Sequence, residues 1–152
     1  MSEKLYPDGI DCVWLASDRN GYLGAFITAG VGPIPDQALK SDSVPVESIE
    51  GRICDMPVVS EARLLVSVNR PDDFIDLAER GVFVYDWTDI NRTAREAVRA
   101  YETVAVPVKP IKVDLLPVDL ASLANTLKFV GVDFADEKRL DVRTHMNCCE
   151  GE

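Results

Sequence analysis

The tightest constraint in this sequence is a turn held between two apolar runs. Asp18-Arg19-Asn20-Gly21 separates Asp11–Ser17 from Tyr22–Ala29. Asn-Gly supplies the positive φ that a tight hairpin needs. In the first run Val13 and Leu15 alternate with Cys12 and Trp14. In the second, Leu23, Ala25 and Ile27 alternate with Tyr22, Gly24, Phe26 and Thr28. A period of two is the strand signature, so the spacing predicts an N-terminal β-hairpin. Gly30-Val31-Gly32-Pro33-Ile34-Pro35 then ends the second strand, because that density of glycine and proline continues neither strand nor helix.

Beyond the hairpin the periodicity changes repeatedly. Asp36–Lys40 reads as a helical turn, and Ser41–Ile53, polar and interrupted by Pro45, as loop with a short edge strand. Glu61–Val68 reads as a strand. Asn69 and Pro71 then open a helix in which Phe74, Leu77 and Ala78 form the buried stripe and Gly81 is the stop. Val82–Asp86 is the next strand, giving a strand–helix–strand unit with a short crossover for a parallel pair. Thr88–Tyr101 has helical spacing at Ile90, Ala94, Ala97, Val98 and Tyr101. Thr103–Val108 is expected as a strand, and Pro117–Lys128 as a helix with Leu120, Leu123, Ala124 and Leu127 inward. Phe129–Phe134 is expected as a last core strand and Arg139–Arg143 as an edge strand. The sum is one α+β domain over residues 1–143, with a mixed or mostly antiparallel sheet and about three helices packed on it. A flexible tail is expected at 144–152.

Charge narrows the range of partners. The 152 residues carry 26 acidic and 16 basic side chains, for a net charge of −10. Such a surface repels nucleic acid and anionic lipid and speeds encounter with basic proteins. No apolar run approaches the roughly 18 residues of a membrane span. The first residues, Met1 to Gly9, lack the apolar stretch of a secretory signal. The expectation is therefore a cytoplasmic protein with reduced cysteines and no membrane or nucleic-acid partner.

No segment carries a complete catalytic or cofactor motif. Gly30-Val31-Gly32-Pro33 resembles an anion nest but lacks the GxGxxG spacing. His145, Cys148 and Cys149, with Cys12 or Cys54, offer zinc-ligand chemistry, but adjacent cysteines have the wrong spacing for one ion. No metal or cofactor is expected, and the balance leans away from an enzyme. Tyr85-Asp86-Trp87-Thr88-Asp89 places two carboxylates and two aromatics where a strand gives way to a helix. Strand ends are favoured ligand sites, and paired carboxylates support acid–base chemistry. Asp89 or Thr88 serves equally as a helix cap, and Trp87 as a core anchor. Arg92, Arg95 and Arg99 fall along one side of the following helix, suited to a carboxylate or phosphate or to pairing with the chain's own acids. Asp72, Asp73, Asp76 and Glu79 form an acidic run, with 72, 76 and 79 on one side of their helix.

The segment Trp14 to Pro35, together with Tyr85-Asp86-Trp87-Thr88-Asp89, the small size and the acidic balance, resembles the small acidic immunity proteins of bacterial toxin–immunity systems. That resemblance implies stoichiometric neutralisation of a basic protein partner, possible toxin included, rather than catalysis. Asp72, Asp73, Asp76 and Glu79 are then the expected contacts. The alternative expectation is a small-molecule binder or enzyme with its site at Tyr85, Asp86, Trp87 and Asp89 and the Arg92, Arg95 and Arg99 stripe. A third is an assembly subunit that buries an apolar patch in a homodimer.

Overall fold

A computed structural model describes residues 12–28, 48–65, 72–87, 101–129, 131–136 and 139–140. Its strands are β1 (Val13–Asp18), β2 (Leu23–Ile27), β3 (Ala62–Leu64), β4 (Phe83–Trp87), β5 (Tyr101–Pro107), β6 (Lys128–Phe129) and β7 (Arg139–Leu140). Its helices are α1 (Ile49–Cys54), α2 (Asp72–Ala78) and α3 (Val118–Thr126), with a 3-10 turn at Val113–Leu115 before α3. One mixed sheet joins the strands in the order β3-β5-β4-β2-β1-β6, and β7 also pairs with β5. The fold is α+β.

β1 and β2 form the expected antiparallel hairpin, from Val13 opposite Ile27 to Ser17 opposite Leu23. Its loop is longer by one residue than the Asn-Gly pair suggests. Arg19, Asn20 and Gly21 lie between Asp18 and Tyr22, whose backbones bond at 3.0 Å. Gly21 takes the left-handed conformation at φ +85°, as the closing residue of such a three-residue loop requires. The alternation along the hairpin does not separate core from solvent: every residue of β1 and β2 is buried. These strands lie mid-sheet, flanked by β6 on one side and β4 on the other through parallel pairings.

The strand–helix–strand expectation holds in a modified form. β3 and β4 both run antiparallel to β5, which lies between them, so the two are parallel to each other without touching. A crossover through α2 thus spans an inserted strand, a split β-α-β arrangement. The separation gives the connection more room than a neighbouring parallel pair would.

Several elements differ from the sequence reading. Residues 49–54 are helix, not loop: Ile49 and Ile53 are four apart and both fully buried, so packing of one helical face overrides a polar composition. Tyr101 opens β5 instead of closing a helix, and its ring is buried. The last core strand shrinks to Lys128–Phe129, and residues 131–136 are turns. Val132 and Phe134 are still buried, because backbone bonds to the β1–β2 turn hold this stretch in place of a ladder. Arg19 N–H donates to Val132 O at 3.0 Å, and Phe134 N–H to Asp18 Oδ2 at 2.9 Å. The expected helix over 88–100, the turn at 36–40 and the tail from 144 lie outside the described residues.

The two sheet faces are filled differently. On one, aromatic rings stack across three adjacent strands. Trp14 lies on Phe26 at 4.3 Å and Phe26 on Tyr85 at 4.8 Å, with the ring planes nearly parallel in both cases. These residues are register neighbours, so pairing alone sets the ladder. Phe134 packs over Gly24 and within 5.8 Å of the Phe26 ring centre. Ser17 points to the opposite face, where its hydroxyl donates to Ala124 O of α3 at 2.8 Å. Helix residues Ile49, Ile53, Leu77, Ala78, Leu120, Leu123 and Ala124 complete the apolar core.

Candidate functional site

β2 and β4 are adjacent and parallel, so both carboxyl ends open on the same edge of the sheet. That edge is where ligands of α/β sheets gather. Here it gathers Thr28, just past β2, with Asp86 and Trp87 at the end of β4 and Tyr101 opposite Trp87 on β5. The sequence singled out Asp86 and Trp87; Thr28 was missed as a neighbour because strands more than fifty residues apart bring it there.

The side chains at this edge are mostly engaged. Thr28 Oγ1 accepts from Cys12 N–H at 3.0 Å. Tyr101 Oη accepts from Trp14 Nε1 at 3.2 Å, and the Trp87 and Tyr101 rings meet edge to face at 5.1 Å. Trp87 differs. It is only 5% exposed, and its Nε1–H has no hydrogen-bond partner among the described residues. Buried indole donors usually find one. Asp86 is half-buried beside Ile27 and Glu102 in the ladder. Tyr85 is wholly inside, stacked on Phe26, with its hydroxyl toward Phe134 O at 3.4 Å; it belongs to the core and not to an open site. Asp89, Arg92, Arg95 and Arg99 lie outside the described residues.

The acidic run lies elsewhere. Asp72, Asp73 and Asp76 are exposed on α2, and Glu79 follows it half-buried. Asp72 and Asp73 occupy the first turn, where carboxylates favour the positive end of the helix dipole. Arg80 comes next in the chain, yet it does not neutralise them. Its guanidinium donates to the carbonyls of Met56, Cys54 and Asp76 at 3.1, 2.9 and 3.0 Å. Glu79 contributes its carbonyl, which accepts from Val59 N–H at 2.9 Å and Ser60 N–H at 3.2 Å. Sequence reasoning overlooked Arg80, whose position at a helix end, where carbonyls point outward, was the available signal.

Nucleophile and metal chemistry find little support nearby. Burial pushes the Cys54 thiol up, with the Arg80 charge opposing it and acidic neighbours adding to it, so the reactive thiolate is disfavoured. Cys12 is a buried thiol outside any disulfide among the described residues. Among the described residues no group of three or more His, Cys, Asp or Glu side chains is placed to hold a metal ion. No helix among them is long and apolar enough to cross a membrane. His145, Cys148 and Cys149 lie outside them. No protein-family model, curated protein or solved structure matches this chain.

Proposed function

We propose that this chain is a binding protein that neutralises a basic protein partner through the acidic surface of α2, in the manner of an immunity protein. The observation that carries this reading is the state of Arg80. With its guanidinium committed to three carbonyl oxygens, it leaves the carboxylates of Asp72, Asp73 and Asp76 exposed and without an ion-pair partner among the described residues. A net charge of −10 adds long-range attraction for a cationic surface. The test is capture from host lysate on the immobilised chain, beside the variant Asp72→Asn/Asp73→Asn/Asp76→Asn. The expected result is a basic protein, retained stoichiometrically at low salt and lost with the variant. Equal retention by both chains would refute the role of α2.

A second reading rests on Trp87. A buried indole N–H without an acceptor among the described residues, at the carboxyl ends of parallel strands, suits a small molecule that presents an acceptor. Native mass spectrometry of the chain from its own host should then show an adduct that Trp87→Phe removes, since phenylalanine keeps an aromatic ring without the donor.

A further inference from the structure

We propose that the free edge of β3 pairs with β3 of a second copy of this chain, antiparallel about Ala62, and so extends the sheet across a two-fold axis. Among the described residues β3 is the last strand on its side of the sheet, with β5 as its neighbour. Along it, Val108 N–H donates to Glu61 O at 2.9 Å and Leu65 N–H to Val104 O at 2.8 Å. In an antiparallel ladder alternate residues turn inward, so Glu61, Arg63 and Leu65 bond toward β5. Ala62 and Leu64 therefore turn their N–H and C=O groups outward, where a further strand can add.

The side chains choose the occupant. Val59, Glu61, Arg63 and Leu65 are all exposed, with Val59 and Leu65 at 44% and 41%. Neither Glu61 nor Arg63 has an ion-pair partner among the described residues. Antiparallel pairing centred on Ala62 sets Glu61 against Arg63 of the copy and Arg63 against its Glu61. The two Ala62 residues then exchange a reciprocal pair of backbone bonds. Centring on Arg63 would instead set the two arginines against each other and Glu61 against Leu65, a like-charge pair and two mismatches. The segment is thus self-complementary in one register, and that complementarity points to a second copy in preference to an unrelated strand.

Sedimentation equilibrium of the full chain, up to several hundred micromolar, tests this directly. The expected result is a reversible monomer–dimer equilibrium. Arg63→Glu alone and Glu61→Arg alone should each weaken the dimer on the order of tenfold or more, because each turns two attractive cross-strand pairs repulsive. The double variant Glu61→Arg/Arg63→Glu should restore it. Ala62→Pro, which removes an outward N–H without touching a β5 bond, should abolish it. One ionic strength serves throughout, since salt screens both the pairs and the repulsion between two chains of net charge −10. A chain that stays monomeric, or single reversals that dimerise as well as the parent, would overturn the proposal. So would a double variant no better than the singles while circular dichroism shows all of them folded.

Discussion

Asp18 is wholly buried, yet its carboxylate is well satisfied. Oδ1 accepts from Asn20 N–H at 2.8 Å and Tyr22 N–H at 3.0 Å, and Oδ2 from Phe134 N–H at 2.9 Å. One side chain therefore builds the β1–β2 turn and fastens the segment after β6 to it. Asp18→Ala strands these donors in a dry site, and urea unfolding should show a loss of about 3 kcal/mol. Asp18→Asn should fall between, because its amide nitrogen opposes one N–H donor with another. Gly24 makes a contrasting demand, for space. A Cβ there would lie 2.9 Å from Phe134 Cε2 and 3.0 Å from Phe26 Cε1. Gly24→Ala should cost about 1–3 kcal/mol through overpacking. Gly24→Ala/Phe134→Leu should recover part of that loss, and a double variant worse than the sum of the singles would show that the strain lies elsewhere.

At the scale of elements, α1 and α3 are tied by a forked ion pair. Arg52 Nη1 and Nη2 reach Asp119 Oδ2 and Oδ1 at 2.7 and 2.8 Å. The hydrogen bonds from Arg52 hold the Asp119 carboxyl below its usual range, and the same contact raises Arg52. A carboxyl depressed in the folded state stabilises the fold fully above its unfolded value, about 4, and loses that contribution as pH falls through the lower folded value. Unfolding midpoints of the parent and Asp119→Asn should therefore differ at pH 7 and converge below about pH 4. A gap that persists unchanged into acid would assign the difference to packing. This pair also shows where sequence legibility ends. Helices α2 and α3 could be read because Phe74, Leu77 and Ala78 in the one, and Leu120, Leu123 and Ala124 in the other, fall at helical spacing. α1 could not, since it is six residues long with two buried isoleucines, and what holds it is a residue 67 positions away. The hairpin was legible from Asn20-Gly21, whereas its burial on both faces depends on α3 over one and Phe134 over the other, which no local pattern reveals. Of the candidate site, Asp86 and Trp87 were legible as a strand end, but Thr28 joins them only through a parallel pairing. The free cross-strand charges of β3 carried no signal until its edge position was known.

Across the whole molecule, the beginning and end of the described chain close on each other. Ser17 N–H donates to Leu127 O at 3.2 Å and its hydroxyl to Ala124 O, while Arg19 and Asp18 hold Val132 and Phe134. β1 pairs with β6 across more than a hundred residues of sequence, and Phe129, Val132 and Phe134 of this late stretch are buried in the core. No subset of strands can then bury the aromatic ladder alone, since Trp14, Phe26 and Tyr85 come from strands joined only in the finished sheet. Such closure makes unfolding all-or-none. Both tryptophans lie within this core, so their fluorescence reports tertiary packing while far-ultraviolet circular dichroism reports the backbone. The two urea transitions should coincide in the parent, and in Asp18→Ala both should shift to lower urea together. If Asp18→Ala loses its fluorescence transition first, with circular dichroism intact, the sheet survives without the Asp18 anchor, and the closure is local to the turn.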